Sequence, residues 1–241
     1  MFDQPDSFDV DNPFQLALSF GMRDDTTLEN FYPLRNESVV RQLKQLAAGQ
    51  GEPYLFLWGE SGAGRSHLLQ ASCHRAGALG RSAFYLPLDQ LLGHGPSVLE
   101  GLESLDLVCI DQLQLAVGSP EWEEPLFHLF NRLRDAGRSL LIAADRPPRQ
   151  LPLQLPDLKS RLSWGLVYRV WGLDDEGKCE ALKARAQQRG IDLADDVAQF
   201  IMHRSPRRTG ELFALLNQLD RASLAAQRRI TIPFVKEVMD W

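Results

Sequence analysis

The chain has 241 residues, 44% of them hydrophobic and 24% charged, which suits one large soluble domain or one domain with a smaller appendage. No apolar run approaches the roughly eighteen residues of a membrane span, and the acidic opening MFDQPDSFDVDNPF lacks the basic and apolar regions of a secretory signal. The three cysteines, Cys73, Cys109 and Cys179, are odd in number and not at metal-ligand spacing, so reduced thiols in a cytoplasmic protein are expected rather than a disulfide framework or a zinc site.

The net charge of −6 is a property of the first 30 residues, where seven acids (Asp3, Asp6, Asp9, Asp11, Asp24, Asp25, Glu29) face one base, Arg23. The remainder carries 25 acidic and 25 basic residues and is neutral, so the overall acidity does not argue against nucleic acid elsewhere. Residues 1–27 read as an acidic, largely disordered leader. Within them QLALSF, residues 15–20, sets Leu16, Leu18 and Phe20 at alternating spacing behind Gln15. Such an island is either a docking peptide or a short edge strand packed on the core.

From residue 28 to 172 strand and helix signals alternate. Asn36 is a candidate N-cap for a helix through Val39, Val40, Leu43, Leu46 and Ala47, closed by Gly49. YLFLW (54–58) is a continuous apolar run, as expected of a strand buried on both faces, and it feeds a Gly-rich loop and a helix from about Arg65 to Ala76. SAFYLPL (82–88), LDLVCID (105–111), SLLIAAD (139–145) and LVYRVW supply four further strands; EWEEPLFHLFNRLRDAG and PDLKSRL are the intervening helices. The alternation predicts an α/β core with a parallel five-stranded sheet. After Gly172 the pattern turns helical: 174–189, 194–204, 208–227 and TIPFVKEVM, with ITI the one strand-like run, make a small all-helical lid over 173–241. Its arginines Arg204, Arg207, Arg208, Arg221, Arg228 and Arg229 form a solvated face or a phosphate contact.

The stretch GESGAGRS fits the phosphate-loop pattern G-x-x-x-x-G-K-[ST] at Gly59, Gly64 and Ser66, with Gly62 inside it and Arg65 in place of the lysine. Glycines let backbone N–H groups converge on phosphate oxygens, the following helix adds its dipole, and Ser66 offers a hydroxyl to Mg²⁺. A planar guanidinium cannot sit between the outer phosphates as an ammonium does, so binding is expected to survive and hydrolysis to suffer. Asp111, ending an apolar strand, can orient the Mg²⁺ shell. The next residue, Gln112, cannot serve as a base. Asp145, at the end of SLLIAAD, either positions a water or caps the turn before Pro147. Arg161 either stabilises charge on a neighbouring subunit's nucleotide or pairs with Asp157.

On GESGAGRSHLL, LVCIDQL, ADRPPRQL, LPDLKSRLSWG, QLDRAS and RITIPFVKE the sequence resembles the AAA+ proteins of the DnaA type over nearly all of the chain after residue 14. Arginine in the phosphate loop together with a short Q-L-x-L peptide resembles the regulatory branch that inactivates DnaA. The resemblance implies an AAA+ P-loop core with a helical lid. It makes QLALSF a peptide for the sliding clamp (beta subunit) of DNA polymerase III, anchored by Gln15, Leu16, Leu18 and Phe20. Arg161 becomes an arginine finger and Asp145 a first sensor. Tyr32 and Asn36 fall in the segment that meets adenine and ribose, and His67 joins the nucleotide contacts. The lid's sensor arginine falls on Gly210, leaving Arg207 or Arg208 to replace it from one turn earlier. The resemblance also implies that the helix-turn-helix domain of DnaA is absent.

The implied function is an ADP-bound (or ATP-bound), Mg²⁺-dependent inhibitor of replication initiation. It would meet DNA through the clamp and stimulate hydrolysis of DnaA-bound ATP, with little turnover of its own, in the cytoplasm at the replisome. Three alternatives stay open at this point: a helicase loader of the same superfamily, a DNA-binding module using its Arg-rich lid, and a clamp-tethered adaptor without catalysis in trans. Self-association into a homodimer or higher oligomer also stays open.

Overall fold

The computed structural model describes residues 26–205 and 208–241. QLALSF, nearly all of the acidic leader and Arg207 therefore lie outside the described residues. By its internal contacts the chain forms two units. Of the described residues, the first holds 26–31, Asn36–Gly59 and Arg65–Val170; the second holds Tyr32–Arg35, Glu60–Gly64 and those from Trp171 to Trp241.

The first unit is built on five strands, β1 (Tyr54–Trp58), β2 (Ala83–Pro87), β3 (Leu107–Asp111), β4 (Ser139–Ala144) and β5 (Leu166–Arg169). All pairings are parallel and the order is β2-β3-β4-β1-β5. The helices are α1 (Glu37–Ala47), α2 (Arg65–Ala78), the single turn α3 (Leu88–Leu91), α4 (Pro120–Asp135) and α5 (Pro156–Leu162). Every residue of β3 and β4 is buried, which is why those stretches are continuous apolar runs without alternation. The edge strand β5 differs: Leu166 and Val167 are 36% and 39% exposed. The main core packs Phe56, Leu86, Val108, Ile110, Leu140 and Ile142 from the sheet against Trp122, Leu126, Leu129, Phe130 and Leu133 of α4.

Local chemistry explains where elements stop. β3 begins later than its apolar run because Asp106 turns out to accept from the Ser82 N–H and hydroxyl, each at 2.9 Å, and from Arg138 at 2.7 Å. β2 ends at Pro87 because Leu88 opens α3. Asn36 occupies the N-cap position of α1, but its side chain makes no capping bond and is buried in the first unit.

The second unit continues after Val170 as α6 (Asp175–Gln188), α7 (Asp195–Arg204), α8 (Thr209–Ala226) and α9 (Ile232–Met239). Asp174 caps α6 by accepting from the Gly177 N–H at 2.8 Å. Leu182, Ala186, Ile201, Leu212, Leu216 and Phe234 form a separate buried cluster. The ITI run is no strand: Ile230 packs into that cluster, and Thr231 caps α9 by accepting from the Phe234 N–H. Among the described residues no helix is long and apolar enough to cross a membrane.

Candidate functional site

Parallel strands present their carboxyl ends together, and ligands of open α/β sheets bind there. In this sheet β4 lies between β1 and β3, so three chain ends meet at one edge. β1 runs into Gly59 and the loop, β3 delivers Asp111, and β4 delivers Asp145 one residue beyond its end. Gly62 and Gly64 have φ of 83° and 95°, a left-handed backbone that a side chain would strain. The Ala63 N–H donates to the Glu60 carbonyl at 3.2 Å, which tightens the turn. α2 then starts at Arg65, with Ser66 exposed in its first turn.

Arg65 is half-buried, and burial lowers its pKa against the opposing pull of Asp111 and Asp145. Its Nη1 is buried with no hydrogen-bond partner. A buried guanidinium N–H without an acceptor is costly, and a phosphate oxygen would satisfy it with a charge-assisted bond. The donor set therefore fits a nucleotide phosphate. Among the described residues no group of three or more His, Cys, Asp or Glu could hold a metal unaided. A divalent cation beside Ser66 and Asp111 would complete its shell with phosphate and water oxygens.

Asp111 is 1% exposed and already engaged at both oxygens. Its Oδ2 accepts from the Tyr85 hydroxyl at 2.7 Å and its Oδ1 from the Gln112 N–H at 2.9 Å. Tyr85, on β2, is a residue the sequence reading did not single out. Burial and the Asp111 charge push its pKa well up, so it stays a donor; Gln70 and Ser66 face the same hydroxyl. Gln112 itself holds φ 60°, ψ 42°. A left-handed backbone at a non-glycine residue costs about 1 kcal/mol, and here it turns the N–H onto Asp111.

At Asp145 the carboxylate is gripped by its neighbour: Arg146 Nε donates to Oδ1 at 3.0 Å and Nη2 to Oδ2 at 2.9 Å. Those bonds hold its carboxyl below the usual range, helped by the charges of Arg146 and Arg65. The Asp145 N–H donates to Gln114 Oε1 at 3.2 Å, tying the end of β4 to the turn after β3.

Arg161 lies in the last turn of α5, with its guanidinium 5.5 Å from the Trp164 ring centroid. Trp164 in turn stacks near Tyr54 and Phe130, at 6.3 and 6.4 Å. Among the described residues Arg161 pairs with no carboxylate, Asp157 included, so the surface ion pair is not what holds it.

The remaining candidates are spread more widely. His67 Nε2 lies 2.9 Å from the Thr27 carbonyl oxygen and its ring 5.5 Å from Phe31, so it engages the chain segment just before Tyr32. Tyr32 is half-buried. Arg208 is exposed at the start of α8 and 4.0 Å from Glu211. Gly210, one residue into α8, has open space where a Cβ would stand.

The sheet order, the phosphate loop after β1 and the helical unit that follows give the chain an α/β fold of the P-loop type, shared with the solved structures below. Residues 175–239 match the model of the lid domain of Hda, and residues 95–169 that of the bacterial DnaA ATPase domain. Domain III of the Thermotoga maritima replication initiation protein DnaA superposes with a TM-score of 0.74 at 22% identity, over 91% of this chain and 97% of that one. AMPPCP-bound DnaA from Aquifex aeolicus gives 0.69 at 23% identity, over 83% and 66%. The Thermotoga maritima RuvB Holliday junction branch migration motor gives 0.61 at 18%, over 89% and 73%. Within the core the chain thus carries a segment of the DnaA ATPase type, followed by a lid of the Hda kind.

Proposed function

We propose that this chain is a regulatory inactivator of DnaA that works as Hda does. It binds ADP through the backbone of Gly59, Gly62 and Gly64 with Arg65 and Ser66. Mg²⁺ sits beside Ser66 and Asp111, and Tyr32 and Asn36 meet the base and ribose. His67 supports that segment through Thr27, and Arg208 stands in for the arginine missing at Gly210. The peptide Gln15, Leu16, Leu18 and Phe20 docks the chain on the DNA-loaded sliding clamp, which raises its effective concentration near DnaA. Arg161 then completes the active site of ATP-bound DnaA in trans. The reaction takes place in the partner, at the replisome in the cytoplasm.

The observation that carries this reading is Arg161 on Trp164, a cation set against an aromatic ring and, among the described residues, paired with no acid. It stands in a chain whose own base position holds Gln112. The match of the lid to Hda supports the same reading. The test is hydrolysis of ATP pre-bound to DnaA, in the presence of clamp on DNA and this protein with ADP. Arg161→Ala should remove stimulation by about 10³-fold, the low end for an arginine finger. A variant that stimulates fully would leave only a clamp-tethered adaptor. Leu16→Ala with Leu18→Ala should abolish clamp binding while ADP affinity stays unchanged; retained clamp affinity would sink the docking role.

A further inference from the structure

We infer that Glu123 is the positioning residue that sets the arginine finger, by anchoring the amino end of α5 to the segment that follows β3. The inference rests on the proposed role of Arg161 in trans and adds how this chain aims it.

Glu123 lies in the first turn of α4 and is 1% exposed, yet no Lys, Arg or His is among its described partners. Its carboxylate is instead surrounded by backbone N–H groups. Oε1 accepts from Gly118 at 2.7 Å and from Gln154 at 3.2 Å. Oε2 accepts from Gln154 at 2.9 Å and from Leu155 at 2.7 Å. Gln154 closes the knot by donating from Nε2 to the Gly118 carbonyl at 2.8 Å. Leu155 is the N-cap residue of α5 and offers no side-chain cap of its own, so Glu123 supplies from outside the anion that a helix start favours. Each of these three N–H groups has the carboxylate as its acceptor, and a buried carboxylate needs several such donors to be tolerated.

The path from this knot to Arg161 is short and stiff. α5 is only 7 residues long, with Leu158 and Leu162 buried, so fixing its first turn fixes its last. On the other side, Gly118 ends the segment that begins at Gln112, and Gln114 in that segment holds the Asp145 N–H. One carboxylate therefore joins the turn that touches Asp145 to the helix that carries Arg161.

Glu123→Gln keeps the shape but replaces one acceptor oxygen by an NH₂ group facing N–H donors. With the full chain, ADP, clamp on DNA and ATP-bound DnaA, we expect the maximal stimulated rate to fall about tenfold. ADP affinity and the half-saturating concentration should each stay within about threefold. Added to Arg161→Ala, the substitution should cost nothing further, because both act through the same side chain. Hydrogen exchange should quicken at the amides of Leu158–Leu162 and stay unchanged across α6 to α9. Gln154→Ala, which removes one bond of the knot, should show the same pattern at about threefold. Full stimulation by Glu123→Gln, or a loss that adds to that of Arg161→Ala, would overturn the assignment. An Arg161→Ala protein that still stimulates would overturn the trans reading instead; unchanged exchange in α5 would overturn the anchoring role whatever the rates show.

Discussion

The side chains at the carboxyl edge of the sheet and the side chain at the end of α5 are treated oppositely by the fold. Asp111 has Tyr85 and the Gln112 N–H on its two oxygens, and Asp145 is gripped by Arg146. Arg161 rests on an aromatic ring, and among the described residues pairs with no acid. The acids at the carboxyl edge are held by the chain's own residues, whereas the guanidinium proposed as a finger is left without one among the described residues. That difference is what the proposed function requires of a P-loop protein that holds a nucleotide and lends its chemistry elsewhere.

The contrast can be broken most forcefully by restoring the site's own chemistry. Arg65→Lys with Gln112→Glu returns an ammonium to the outer phosphates and a base to the water position. General-base catalysis is worth about 10² or more, so turnover of ATP by the isolated chain should rise about a hundredfold from a rate well below 1 s⁻¹. No rise would mean that Gln112 and Arg65 do not limit turnover. A smaller effect follows from Tyr85→Phe, which leaves a buried carboxylate one donor short. About 2 kcal/mol of stability should be lost, read as a fall in Tm of about 4–8 °C that added Mg²⁺ and ADP partly reverse. Unchanged Tm would mean that Asp111 finds another donor. Trp164→Ala sharpens the other half of the comparison. Removing the ring beneath the guanidinium forfeits about 1 kcal/mol of cation–π attraction and should lower stimulation of DnaA about fivefold, with ADP affinity intact. A loss of ADP affinity in that variant would erase the distinction between the two regions.

Much of this architecture is legible in the residues themselves. Strands covered on both faces are forced to be apolar throughout, so YLFLW, LVCID and SLLIAA announce themselves, and helices stop where glycine takes a left-handed turn, as at Gly137 with φ 65°. The departures at Arg65 and Gln112 are equally plain, because the loop pattern fixes what should stand there. Tyr85 and Glu123 were not legible in the same way. A tyrosine in a buried strand looks like core, and only the pairing of β2 with β3 brings its hydroxyl to Asp111. Glu123 did leave a trace: it stands three residues before Leu126 and seven before Phe130, on the apolar stripe of α4, while Glu121 and Glu124 are exposed. A charge at an apolar position of a helix marks a buried acceptor, but nothing local says which N–H groups it will receive. The aromatic seat of Arg161 hides for the same reason, since Tyr54, Phe130 and Trp164 come from three separate parts of the chain.

β5 has a consequence for how the free protein behaves in a tube. Among the described residues it is the last strand on its side of the sheet, with one row of backbone donors and acceptors left without a neighbouring strand, and Trp164, Leu166 and Val167 beside that row are exposed. Such a margin is a template for adding another chain's strand, and natural sheets normally blunt it with lysine, proline or a bulge. Here the blunting is sparse, so solutions concentrated without a partner should turn cloudy, and a lysine at Val167 should keep them clear.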